Sequence, residues 1–155
     1  MAPPHLKQIG IVAVTCGADV TIVEPANIYG CTLGDGVFVG PFVEIQHGVL
    51  IGARTRLQSH AFVCELVTIG EDCFISHGVM FVNDLFRKGG PAHGDRTQWG
   101  TTRVGNRVSI GTNATVLPVT ICDDVVIGAG SVVTYDIVVR GIYAGNPAKK
   151  IRDIQ

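Results

Sequence analysis

Aliphatic residues recur along this chain with a fixed step of six. Leu33, Val39, Ile45, Ile51, Leu57, Val63, Ile69, Ile75 and Phe81 keep that step without a miss. Four residues after each of the first eight stands a small or β-branched residue: Val37, Val43, Val49, Thr55, Ala61, Val67, Cys73, Val79. The step resumes at Val104, Ile110 and Val116, slips by one residue at Leu117-Pro118-Val119, and continues at Ile121, Ile127 and Val133. A helix of about 3.6 residues per turn would rotate such positions off any one face. A stack of plain hairpins would need longer strands and stronger reversals. Short strands joined by tight corners do fit the step. Three hexapeptides then close one triangular coil of eighteen residues, and stacking buries each aliphatic under the next. An ordinary β-sandwich would not hold one period over so many repeats. The pattern therefore predicts an all-β chain, a parallel β-helix, without fixing its hand.

Residues 1–32 are less regular and are expected to form an N-terminal cap and first coil. Residues 138–155 read as a short C-terminal tail. In "FISHGVMFVNDLFRKGG", Phe74 to Gly90, the step stops after Phe81 and is absent until Val104. Residues 83–103 are thus expected to leave the prism as one long loop excursion. Its glycines (Gly89, Gly90, Gly94, Gly100) argue against helix, and Phe86 and Trp99 could anchor it on a neighbouring surface. A loop of this length in a compact repeat fold is functional, disordered or a tolerated insertion. Residues eighteen apart should sit above one another, about 4.8 Å apart. That places Pro41, Ser59 and His77 in one column, Phe42, His60 and Gly78 in a second, and His47, Glu65 and Asn83 on the next corner.

Composition narrows the class. The 155 residues suit one domain, and a formal net charge of −1 gives no electrostatic reason to expect a nucleic-acid partner. Twenty glycines beside 46% hydrophobic residues describe a turn-dense ordered fold. No apolar run is long enough to span a bilayer, and MAPPHLKQIG lacks the marks of a signal peptide, so a cytoplasmic location without membrane insertion is expected. Cys16, Cys31, Cys64, Cys73 and Cys122 are scattered and odd in number, and are read as reduced thiols.

The hexapeptide pattern from about Leu33 onward resembles the left-handed hexapeptide-repeat acyltransferases. Within them, "NIYGCTLGDGVFVGPFVEIQHGVLIGARTRLQSHAFVCE", "FISHGVMFVNDLF", "ATVLPVTICDDVVIGAGSVVT" and "GNPAKKI" look like the enzymes that N-acetylate nucleotide-linked amino sugars. The resemblance implies a left-handed parallel β-helix and a homotrimer with sites between subunits. It also implies acetyl-CoA as co-substrate, no metal, and an amino-sugar precursor of surface polysaccharide as acceptor.

The chemistry is attack of an amine on a thioester, which needs an oriented neutral amine and a held carbonyl. The resemblance favours Asn83 and Asp84 as site features. Asn83 can orient the amine, and Asp84 can accept a proton or bond a sugar hydroxyl. His77 is either a general base or a corner residue hydrogen-bonded to Ser59. His93, in the excursion, lies outside the resemblance and ranks below it. Glu44, Gln46, His47, Gln58, His60 and Glu65 are the candidate substrate contacts. Coenzyme A is expected along the later coils. There Gly111, Gly128, Ala129 and Gly130 allow close approach, Asn146 and Pro147 mark the following turn, and Lys149 and Lys150 meet phosphate. An O-acetyltransferase of the same fold is the nearest alternative and would need a His base. A γ-class carbonic anhydrase would need a zinc His set whose His-x4-His pair is absent here. A non-enzymatic scaffold would leave the polar columns and the excursion unexplained.

Overall fold

The computed structural model describes residues 3–5 and 10–155, and the chain winds there as a triangular parallel β-helix. Face A stacks Ile11–Val12, Asn27–Tyr29, Glu44–Ile45, Phe62–Val63, Met80–Phe81, Thr115–Val116 and Val132–Val133. Face B stacks Thr15–Cys16, Thr32–Leu33, Leu50–Ile51, Val67–Ile69, Thr102–Val104 and Thr120–Ile121. Face C runs from Thr21–Ile22 through Phe38–Val39, Arg56–Leu57, Phe74–Ile75, Ser109–Ile110 and Val125–Ile127 to Gly141–Ala144 and Lys149–Arg152. The register is the one the period requires: Leu33 pairs with Ile51, Ile51 with Ile69, and Leu57 with Ile75. Every residue of the six-step series is buried. These aliphatics form one continuous column of core, closed at the sides by Val37, Val43, Val49, Thr55, Ala61, Val67, Cys73 and Val79.

Corners turn through left-handed backbone. Arg54, His60, Leu66, Asp72, Arg107, Asn113 and Asp124 all have φ between 55° and 69°. On the corner between faces B and C (edge BC), these positions carry charge. Arg54 bridges Glu71 at 2.8 Å and Asp72 at 2.7 Å, and Arg107 bridges Asp123 at 3.3 Å and Asp124 at 2.7 Å. The Arg54 guanidinium holds the Asp72 carboxyl below its ordinary range. The same edge carries a glycine column dictated by coil spacing. A Cβ on Gly52 would lie 2.5 Å from the Gly70 carbonyl carbon, and one on Gly70 would lie 2.6 Å from the Gly105 oxygen.

The length of the coil varies at one corner only. From face B to C and from C to A the buried series always advances six residues. From A to B (edge AB) it advances five at Ile28–Leu33 and Val116–Ile121, six in the two middle coils, and 23 from Phe81 to Val104. The excursion thus replaces one AB corner. It is shorter than the expected 83–103, because Thr102 and Arg103 already belong to a strand paired with Val67–Ile69. Nor does it stand away from its own coil. The Gly100 N–H donates to the Asn83 carbonyl (2.8 Å), Gly100 packs on Pro118, and Arg96 meets Glu65 (2.9 Å). Asp84 clasps its interior: one oxygen accepts from the Phe86 N–H (2.9 Å), the other from the Ala92 N–H (2.7 Å). Its single regular turn is a three-residue 3-10 segment, Arg96–Gln98, capped by Asp95. Phe86 is exposed and Trp99 half-buried.

Coil stacking starts at Ile11–Val12, within the stretch expected to hold the cap and first coil, and residues 1–2 and 6–9 lie outside the described residues. The expected tail 138–155 instead contains an antiparallel hairpin of Gly141–Ala144 with Lys149–Arg152, turned over a cis Asn146–Pro147 peptide and added to face C. Pairing provides backbone partners that a free tail would lack.

Two outcomes follow from these constraints. Gly52→Ala has no room against backbone, whereas a Cβ at Gly90 meets nothing within 4 Å. Thermal denaturation should show Gly52→Ala losing roughly 1–3 kcal/mol and Gly90→Ala staying within about 0.5 kcal/mol of wild type. Asp84→Ala removes both clasps of the excursion, so trypsin should cut after Arg87 or Lys88 at least several-fold faster, with the melting temperature little changed.

Candidate active site

Two edges carry the candidate side chains. His77 lies on the corner between faces C and A (edge CA), between Phe74–Ile75 and Met80–Phe81. Its ring is exposed, and its Nδ1 sits 2.8 Å from the Ser59 hydroxyl of the preceding coil. Its carbonyl accepts from the Asn113 N–H, which fixes the following coil. If Nδ1 carries the proton and donates to Ser59, the Nε2 lone pair points outward as a base. The corner hydrogen bond and the base role are therefore compatible. Ser76 beside it is buried and shares a 2.8 Å hydrogen bond with Thr112.

Edge CA continues in both directions. Toward the N-terminus stand half-buried Gln58 and exposed His60, whose ring stacks on Phe42 at 5.0 Å between centroids. Toward the C-terminus stand Gly111, then Gly128, Ala129 and Gly130. Their glycines serve different purposes. A Cβ on Gly111 would lie 2.6 Å from the Ala129 nitrogen, and one on Gly128 would lie 2.8 Å from the Ala144 Cβ, so coil stacking alone requires both. Gly130 has φ +66° and nothing within 4 Å, so its surface is open. Ala129 beside it is exposed. Beyond, Asn146 and Pro147 form the hairpin turn, and Lys149 is exposed. Lys150 is already paired with Asp153 (2.6 Å), and its stem covers Gly141.

Edge AB holds the other group. Asn83 donates from Nδ2 to the Glu65 carbonyl (3.2 Å). Gln46 donates to Glu44 (3.0 Å) and accepts from the Glu65 N–H (3.3 Å). His47 is exposed and lies over Gly30, where a Cβ would come within 2.5 Å of its ring. Tyr29, absent from the sequence candidates, completes the cluster. Its hydroxyl pKa is pushed up by burial first, then by Glu44 and Glu65. Glu65 is its hub. Its Oε2 is buried and makes no hydrogen bond, although the Arg96 nitrogen lies only 2.9 Å away. The two findings agree if the guanidinium faces the oxygen off-axis: charge is balanced, while the lone pairs stay unfilled.

Within a single chain His77 stands on edge CA, whereas Asn83 and Asp84 stand on edge AB. Six residues separate His77 from Asn83, up to about 20 Å of extended backbone, and face A lies between the two edges. Asp84 accepts one excursion N–H on each of its oxygens. His93 is exposed in the excursion with φ 51°. Burial pushes the Cys31 thiol up to about 11 and the Cys64 thiol up to about 12, so neither supplies a thiolate nucleophile. Of the residues missed, Phe42 was visible in the column with His60. Arg96 and Tyr29 had no period to mark them. Among the described residues no helix is long and apolar enough to cross a membrane.

Comparison with known proteins matches the fold to a named repeat. Residues 30–65 match the bacterial transferase hexapeptide (six repeats), and residues 101–135 match the hexapeptide repeat of succinyl-transferase. Galactoside O-acetyltransferase of Escherichia coli (strain K12) is 34% identical over 79% of this chain and 64% of its own length. UDP-3-O-acylglucosamine N-acyltransferase of Bordetella avium (strain 197N) is 28% identical over 90% of this chain, which spans 30% of that relative. Among solved structures, galactoside acetyltransferase in complex with coenzyme A is 27% identical with a TM-score of 0.66, covering 93% of this chain and 67% of that one. A mutant of perosamine N-acetyltransferase from Caulobacter crescentus, in complex with CoA and GDP-perosamine, is 25% identical with a TM-score of 0.64, covering 92% and 57%. The coil register, the buried six-step series and these matches agree on hexapeptide transferase repeats over residues 30–65 and 101–135.

Proposed function

We propose that this chain transfers an acetyl group from acetyl-CoA to the amine of a nucleotide-linked amino sugar. The observation that carries the reading is the order of groups along edge CA. Phe42 and His60 stand on one side of His77, and the open corner at Ala129 and Gly130 stands on the other. An extended pantetheine on the glycine side would bring its thioester toward His77, and an acceptor on the other side would meet it there. The solved relatives that bind CoA, and in one case GDP-perosamine, support the class of both ligands.

The reaction balances simply. The amine nitrogen attacks the thioester carbonyl carbon, the C–S bond breaks, and the proton lost by nitrogen ends on the departing thiolate, directly or through His77 Nε2. An amine that is neutral for part of the time needs little base assistance, so orientation matters more. Asn83, with Glu65 and Gln46 beside it, supplies acceptors for an amine and its hydroxyl neighbours. Because edges AB and CA are separated in one chain, the complete site is assembled in a homotrimer. Edge AB of one copy, with its excursion, then faces edge CA of the next. A cytoplasmic place in surface-polysaccharide precursor synthesis is consistent with such an acceptor.

One second reading has its own support. The Ser59–His77 pair and the 34% identity to a galactoside O-acetyltransferase fit transfer to a hydroxyl. That reaction would depend on the base outright. Steady-state kinetics separates the two. For the amine reaction, Asn83→Ala should lower kcat/KM by about 100-fold or more, and His77→Ala by roughly 10-fold. Loss of turnover in His77→Ala with Asn83→Ala nearly silent would establish the hydroxyl reading instead. For the co-substrate, Lys149→Ala should raise KM for acetyl-CoA several-fold, more at low salt than at high. Lys150→Ala should do less, its charge being shared with Asp153.

A further inference from the structure

Beside the Phe42–His60 pair lies a slot of about 310 Å³, lined by Pro25, Ala26, Asn27, Phe42, Val43 and Glu44. One face of the Phe42 ring is stacked on His60, with the rings inclined by 26°. Phe42 nevertheless remains 57% exposed. Its backbone is held by a 2.6 Å hydrogen bond from the Phe42 N–H to the Pro25 carbonyl.

The backbone makes this ring unusual. Down edge CA the left-handed corner position is Phe42 (φ 60°), His60 (φ 64°), Gly78 (φ 65°), Asn113 (φ 58°) and Gly130 (φ 66°). Glycine and asparagine suit that conformation, and a bulky ring does not. On edge BC the bulky left-handed residues Arg54 and Arg107 each hold two acids of the next coil. Phe42 has no comparable partner beyond His60. An unfavourable backbone that presents an aromatic face to an open slot is a mark of a ligand site.

We propose that this slot takes the base of a nucleoside diphosphate, stacked on Phe42 and edge-read by Glu44 and Asn27. Those two groups offer a carboxylate acceptor and an amide. They fit a base with a ring N–H beside a carbonyl, such as uracil, thymine or guanine. The inference rests on the reading above and extends it, because it locates the nucleotide half of the acceptor. Phe42 lies two coils from the His77 corner, about 10 Å along the edge at about 4.8 Å per coil. A pyrophosphate passing His60 would span that gap and bring the sugar to His77.

The test is calorimetric titration of the full-length protein with UDP, dTDP, GDP and CDP, and separately with CoA. Wild type should bind at least one of the first three, more tightly than CDP. Phe42→Asn deletes the ring while keeping a residue that tolerates the left-handed corner. It should weaken that nucleotide roughly 5- to 150-fold, the size of one base–aromatic stack, with CoA affinity unchanged. Phe42→Trp should retain binding and, if Phe42→Asn misfolds, decides the matter through quenching of its fluorescence by the nucleotide. Four binding outcomes overturn the proposal. None of the three nucleotides binds, Phe42→Asn binds them as wild type does, or CoA is weakened in their place. In the fourth, light scattering shows that the variant loses nucleotide only by losing its oligomer. Amino-sugar acetylation with an unchanged nucleotide-sugar KM in Phe42→Asn would remove this slot and leave the proposed reaction standing. Absence of any acetyl transfer alongside ring-dependent nucleotide binding would do the reverse.

Discussion

Parallel stacking of coils at one fixed spacing governs this molecule. Each strand is only two to four residues long and would not persist alone. It persists because its backbone bonds to the coil above and below while its aliphatic residue sits in a column of its own kind. The same spacing dictates the glycines at positions 34, 52, 70 and 105. It also makes the surface a set of columns, so that any side chain on a corner acts beside the side chain one coil away. Ser59 under His77 and His60 on Phe42 are two instances.

A constraint this strict leaves little freedom, and the chain takes almost all of it at edge AB. The buried series needs to re-enter face B in register, but nothing requires a particular path between Phe81 and Val104. A single backbone bond from Gly100 to Asn83 closes the neck, and Asp84 organises the interior. The excursion is thus an elaborated corner of a regular prism. Its cost in loop closure grows only slowly with length, while the coils on either side retain full pairing.

Sequence alone reveals the fold because the period is carried by buried residues, and burial is what the coil enforces. It also reveals the columns, since they follow from the register; Ser59 with His77 and His60 with Phe42 appear there before any coordinates. It does not reveal how glycines divide their duties. Gly111 and Gly130 look alike in the chain, yet one is filled by the next coil and the other faces open space. Nor does it reveal Asp84 as a clasp or Lys150 as half of an ion pair, because those partners come from the aperiodic segments. The hairpin after Gly141 was hidden for a related reason: antiparallel pairing breaks the period that made the coils visible.

Hydrogen-bond satisfaction distinguishes edge BC from edge AB. The acids of edge BC are engaged by arginines or backbone N–H groups: Asp72 by Arg54, Asp123 by Asn106, Asp124 by Arg107. Among the described residues, only Glu65 Oε2 and Thr134 Oγ1 are buried polar side-chain atoms without a hydrogen bond. A buried carboxylate oxygen left unbonded is costly, and a scaffold has no reason to keep one. Glu65 sits where the excursion leaves the prism, beneath Arg96 and against Asn83. Glu44 and Tyr29 lie on the adjoining face A, where the Tyr29 hydroxyl pKa is raised by burial first and then by the Glu44 and Glu65 charges. Unfilled acceptor capacity therefore falls at the one corner whose path the coil does not dictate. A cationic or amine-bearing ligand would be drawn to that corner, and the neutral serine, threonine and glycine corners of edge CA would not compete for it.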